Sequence, residues 1–192
     1  MLRRLYDWTL SWAAHPRALW VLAVVSFAES SVFPIPPDVL LIPMVLARPG
    51  RAWLTAGVCT IASVAGALLG YAIGAFAWEA VGQPVLTWLG KGDSFDTFRA
   101  TYDDWGLWAV LVAGLTPFPF KVITILSGAL GMSLAAFVAS SLVARGLRFF
   151  VVAAILWKVG DPARHFIERH LALVFAAALV VLIGGIWGIR FL

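Results

Sequence analysis

Pro34-Ile35-Pro36-Pro37-Asp38-Val39 and Pro117-Phe118-Pro119-Phe120-Lys121-Val122 both lie inside strongly apolar sequence. Each reads Pro-x-Pro-x-charge-Val, the first with an acid and the second with a base. Proline inside a helix removes a donor and clashes with the preceding turn. An ionised side chain at membrane depth costs about 2.5–3.5 kcal/mol on insertion scales. Neither stretch therefore fits a straight spanning helix. The breaks at Pro34, Pro36, Pro37, Pro117 and Pro119 predict two short half-helices on either side of each motif. Positions 34, 36, 38 and 39 map onto 117, 119, 121 and 122 at a constant offset of 83.

The flanking lengths agree. Ala18 to Ala28 is apolar but only about 11 residues long, whereas a spanning helix needs about 20. Arg17 precedes this run and Arg48-Pro49-Gly50-Arg51 follows the first motif. By the positive-inside rule both ends belong in the cytoplasm, as in a hairpin that enters and leaves on one side. Ala52 to Trp78 is long enough to span, with Gly57, Ala62, Gly66, Gly70 and Gly74 forming a small-residue stripe for close helix packing. Residues 79 to 104 are polar and net acidic and read as an outside connection, with a helix capped at Asp93 or Ser94. Gly106 to Ala113 and Val122 to Met132 flank the second motif, and residues 133 to 159 form another span carrying Arg145 and Arg148. One span separates the motifs, so the second hairpin is expected from the opposite face.

The expected fold is an all-α polytopic membrane protein. Two oppositely oriented re-entrant helical hairpins and about three spanning helices make a pseudo-two-fold inverted repeat. Residues 1–17 read as an interfacial amphipathic helix and 18–160 as the membrane domain, with repeats at about 18–78 and 105–160. Residues 161–192 read as a charged turn followed by a C-terminal transmembrane helix. No cleavable signal peptide is expected, because Arg3, Arg4 and Asp7 precede only a short amphipathic stretch.

Composition sets the class. The 192 residues are 62% hydrophobic and 12% charged, which is outside the range of soluble globular domains. The net charge of +4 comes largely from arginines near segment ends, so it reports topology and lipid headgroups rather than nucleic acid. Trp8, Trp12, Trp53, Trp78, Trp105, Trp108 and Trp187 fit an interfacial aromatic belt. Cys59, the lone cysteine, reads as a small core residue. The carboxylates of 79–104 form no ligand pattern, and nothing in the sequence calls for a metal or organic cofactor.

Glu29, Asp38, Lys121, Arg145 and Arg148 are the charged residues within or beside apolar segments. One reading is structural: they pair with one another and with freed backbone groups. The functional reading assigns Lys121, Arg145 and Arg148 to an anionic headgroup, since arginine binds phosphate bidentately and lysine acts as a point charge. Half-helix N-termini at the proline breaks would add backbone donors. Glu29 and Asp38, partly desolvated, would exchange protons as the site opens to either side. Short, proline-interrupted segments at matching positions of two halves are also the sequence mark of a transporter's binding site.

At these residues the chain resembles the DedA family, within the VTT-domain (SNARE-associated Golgi protein) superfamily, and is similar to its YqaA-type members. Glu29, then Pro34-Ile35-Pro36-Pro37, then Asp38 looks like the family's E-x-x-x-x-P-x-P-x-[DE] signature. Gly114-Leu115-Thr116-Pro117-Phe118-Pro119-Phe120-Lys121 stands where the family has G-R-F-x-P-x-x-R. Lys121 keeps the final base, Leu115 replaces the first arginine and the proline is shifted. Gly128-Ala129-Leu130-Gly131-Met132 supplies the Gly-containing run, and Arg145-Gly146 fits the basic position of the next helix. The resemblance implies a bacterial inner-membrane protein that flips or scrambles a lipid such as undecaprenyl phosphate or another phospholipid, with dependence on the proton gradient. The implied partners are membrane lipids and protons, with homo-oligomerisation open and the N-terminus cytoplasmic.

Two other classes compete. An intramembrane protease or lipid phosphatase would need a nucleophile beside a base. Ser127 is the candidate nucleophile, but His15, His165 and His170 fall in interfacial or loop segments. A non-transporting scaffold subunit would explain the glycine stripe but not the mirrored acid and base.

Overall fold

The computed structural model describes residues 17–32, 36–78, 80, 92–116 and 119–169, and every regular element among them is helical. The helices are α1 (Ala18–Ser31), α2 (Asp38–Ala47), α3 (Ala52–Ala77), α4 (Gly92–Leu115), α5 (Phe120–Ala129) and α6 (Leu134–Arg169). A 3-10 turn, Pro49–Arg51, joins α2 to α3. Pro34, Pro117, the expected N-terminal interfacial helix apart from Arg17, and the expected C-terminal transmembrane helix lie outside the described residues.

Among the described residues two stretches, Pro49–Ala77 and Leu134–Gly160, are long and apolar enough to cross a membrane. By contrast α2 and α5 have ten residues each. At 1.5 Å per residue each is about 15 Å long, half of a ~30 Å hydrocarbon core. Both begin directly after a proline, at Asp38 after Pro37 and at Phe120 after Pro119. The next helices begin at Ala52 and Leu134, so the two sets of starts are both 82 positions apart.

Side-chain contacts give the helix directions. Ser26 reaches the carbonyl of Cys59 at 2.8 Å, and Ser30, one turn later, reaches Ser63, one turn later, at 2.7 Å. Thus α1 and α3 run parallel. Gly114 lies against Ala144 and the Thr116 carbonyl takes a bond from Arg148, so α4 and α6 also run parallel. Trp53 stacks near Phe150 and Trp157 while Tyr71 meets Phe137, which makes α3 and α6 antiparallel.

The small-residue stripe is where these helices touch. A Cβ on Gly66 would overlap the Phe27 carbonyl of α1, and one on Gly74 the Ile125 carbonyl of α5. Gly128 of α5 presses likewise on the Tyr71 carbonyl of α3. Close backbone approach of this kind is the usual basis of helix association in lipid. Gly57 has open space around it, so the working stripe is shorter than the sequence spacing suggests. Buried apolar side chains form two clusters. One gathers Leu22, Leu41, Val45, Ala56 and Phe149, and the other Ala67, Val110, Phe120, Ile123 and Phe137. Trp20, Phe76 and Ile61 are among the many large apolar side chains on the outside.

Three boundaries differ from the sequence expectation. α1 continues through Glu29 to Ser31, because Ser31 bonds back to the Phe27 and Ala28 carbonyls and Ser30 is satisfied by α3. The polar residues after Gly92 and the apolar run from Gly106 form one helix, α4, and its Tyr102 is buried against α5. The charged stretch after Lys158 is helical as far as Arg169, beyond a break at Gly160 with φ of 27°. That conformation is open to glycine without a Cβ penalty.

Candidate functional site

The polar centre lies between the two apolar clusters. Ser63 is the twelfth of the 26 residues of α3, and Arg145 is the twelfth of the 27 from Leu134 to Gly160. Both are therefore near the midpoint of the longest helices. The small side chains along α3 let α1 and α5 come close enough to deliver polar groups there.

Arg145 is enclosed, with its side chain 2% exposed. Its Nη2 donates to Glu29 Oε2 at 2.6 Å and its Nε to Ser63 Oγ at 2.6 Å. Ser30 stands between Ser63 (2.7 Å) and Glu29 Oε2 (3.1 Å), so the hydroxyls close a ring from arginine through two serines to the carboxylate. The guanidinium lies over Phe120 at 4.9 Å and Phe149 at 4.6 Å. Desolvated cation–π contacts of this kind contribute about 2 kcal/mol. A buried charge is tolerated when paired and hydrogen-bonded in this way.

Arg148 makes a second, looser pair. Its Nη2 donates to Asp38 Oδ2 at 2.6 Å and its Nη1 to the Thr116 carbonyl at 2.8 Å. Both side chains of this pair are 21% exposed. Asp38 Oδ1 is buried and has no hydrogen-bond partner among the described residues. The Thr116 carbonyl is free to accept because α4 ends at Leu115.

The structure thus brings together four of the five charged residues singled out in the sequence. The acids come from the two sides of the first proline element, Glu29 from α1 and Asp38 from α2, and both arginines come from α6. Lys121 is half-buried in the first turn of α5 and makes no ion pair among the described residues. It adjoins Phe120, which covers Arg145. Pro37 and Pro119 immediately precede α2 and α5, Pro36 lies just upstream of Pro37, and no side chain caps either helix. Across the halves, the Thr124 hydroxyl lies 3.1 Å from the Ser30 carbonyl and 2.9 Å from that of Lys121.

Sequence reasoning missed Ser26, Ser30, Ser63 and Thr124. Their signal was present as hydroxyls spaced one turn apart in apolar helices, Ser26 and Ser30 on α1 facing Cys59 and Ser63 on α3. Cys59 is buried, with its Sγ 3.3 Å from Ser26 Oγ. Ser127 donates to the Ile123 carbonyl at 2.7 Å and sits 2.7 Å from the Tyr102 hydroxyl, so it ties α5 to α4. Among the described residues no group of three or more His, Cys, Asp or Glu side chains gathers as a metal site would require.

The model of the VTT domain matches residues 35–158. An uncharacterised protein of Haemophilus influenzae is 36% identical over 177 residues, covering 92% of both chains. An uncharacterised protein of Histophilus somni is 38% identical over 148 residues, covering 77% of both. No solved structure matches the chain significantly. The matched region holds Asp38, Arg145 and Arg148 together with both ten-residue helices, and the chain belongs to the VTT-domain (DedA) family of membrane proteins.

Proposed function

We propose that this chain translocates a phosphate-bearing lipid, undecaprenyl phosphate or another phospholipid, through the polar centre, as a transporter and not an enzyme. The observation that carries the reading is the meeting of two acids and two arginines at mid-length of the longest helices. Charge at that depth is costly and is expected where a pathway runs. Lys121, unpaired among the described residues, is the first contact for the headgroup, and Arg148 is the second. Arg145 is committed to Glu29 and Ser63, so its part is to hold the centre together.

The helix directions support two opposed re-entrant hairpins. If α1 and α3 run the same way, α2 between them returns; the same holds for α5 between α4 and α6. Antiparallel α3 and α6 then invert one half against the other. Arg17, Arg48, Arg51 and Lys158 fall at one end by these directions, which supports a cytoplasmic location for that end in a bacterial inner membrane. Ser127 is engaged as a tie between helices, which weighs against its service as a nucleophile.

The test is movement of fluorescent phosphatidylglycerol and of undecaprenyl phosphate in proteoliposomes, with and without a pH gradient. Lys121→Ala, shown to be monodisperse, should lose about tenfold or more of the rate, the cost of one charge-assisted contact. Wild-type rates in that variant would refute Lys121 as the headgroup contact, and an inactive wild type would refute translocation of these lipids.

A further inference from the structure

The two ion pairs are not equivalent, and their difference assigns them different work. We infer that, on the translocase reading above, Asp38 is the group that yields Arg148 to the lipid phosphate and takes up one proton as it does so, while Glu29 stays paired. Glu29 Oε2 is held by Arg145 and also by Ser30, inside a ring that leaves Arg145 2% exposed. Displacing that arginine would strand Ser63 and open the contacts with Phe120 and Phe149. Asp38 has no such support. Among the described residues its Oδ1 is without a partner, Oδ2 is held by Arg148, and the side chains of Asp38 and Arg148 are each 21% exposed.

An anion that takes over the Arg148 Nη2 hydrogen bond now held by Asp38 Oδ2 displaces that oxygen. The carboxylate would then be left at depth without the guanidinium, beside a second negative charge. A buried ionised group in that position neutralises instead. The balance is simple: one proton adds to Asp38, Arg148 keeps its charge, and its hydrogen bond passes from carboxylate to phosphate oxygen. Reversal on the far side returns the proton. Among the described residues, Arg148 and Arg145 on α6 and Cys59 on α3 interact with the charge of Asp38, and Glu29 on α1 lies beyond Arg145. Of these, Arg145 and Glu29 are held by each other, and Cys59 is buried beside Ser26.

The experiment uses proteoliposomes and fluorescent phosphatidylglycerol, whose phosphodiester does not titrate near neutrality. The wild-type rate should rise as pH falls between about 8 and 6, with at most about a tenfold change per pH unit for one proton. Asp38→Asn, which keeps an oxygen for Arg148, should vary less than about twofold over the same range. Asp38→Glu should keep the slope. An Asp38→Asn variant with the wild-type profile overturns the inference and leaves translocation standing.

A second readout needs no transport. Adding phosphatidylglycerol to the detergent-purified wild type should produce an infrared band of a protonated carboxyl that shifts with ¹³C-aspartate labelling. A band that shifts only with ¹³C-glutamate, or no band, overturns the assignment to Asp38 even if Asp38→Asn fails to fold. A wild type that shows the aspartate band yet moves no lipid would refute translocation while upholding the exchange.

Discussion

Glu29–Arg145 and Asp38–Arg148 have the same 2.6 Å separation and both reach α6, yet the first arginine is 2% exposed and the second 21%. The distance says nothing of the difference. What separates them is what surrounds each pair: two serines and two aromatic rings around the first, one backbone carbonyl beside the second. Arg148 lies three positions after Arg145 on α6, less than one turn, so the helix points them about 60° apart and into different surroundings. A pair with more partners fixes geometry, and one with fewer can exchange.

Substitutions at three positions test this contrast in decreasing order of effect. Arg145→Ala leaves Glu29 and Ser63 without their buried donor, a loss of about 3–5 kcal/mol for breaking such a pair. Folded protein should largely disappear from size-exclusion profiles in detergent, and Arg145→Lys should not restore it fully, because lysine lacks the fork that serves both partners. Arg148→Ala acts at a pair open to solvent or lipid headgroups and should cost about 1–2 kcal/mol. Its thermal midpoint should therefore fall less than that of Arg145→Ala while translocation is lost. Equal losses of stability in the two variants would break the comparison. Ser127→Ala removes a neutral hydrogen bond to Tyr102 and should cost about 1 kcal/mol or less, with translocation kept. Loss of all activity in a folded Ser127→Ala protein would reopen the enzymatic reading.

Much of this was legible in the residues. The two Pro-x-Pro motifs marked where α2 and α5 begin, because proline excludes a continuous helix there. Glu29, Asp38, Arg145 and Arg148 stood out through the cost of charge in apolar sequence. The pairing was not legible, because which acid meets which base depends on helix rotation and on close approach at Gly66, Gly70 and Gly74. The continuity of α1 through Glu29 was missed for a related reason. A glutamate and two serines read as a break until the groups that satisfy them, on α3 and α6, are known. Lys121, Arg145 and Arg148 formed one cationic set in the sequence; the structure gives each arginine its own acid and leaves Lys121 apart.

The separation of Glu29 from Arg145 along the chain is 116 residues. At a synthesis rate of about 5–20 residues per second, the acid is made roughly 6 to 23 s before its partner. Asp38 waits almost as long for Arg148, which lies 110 residues later. During that interval both carboxylates must stay in contact with water or carry a proton. Synthesis of α6 supplies both arginines, so the two pairs are completed together. A nascent chain truncated before Arg145 would hold two unmatched acids.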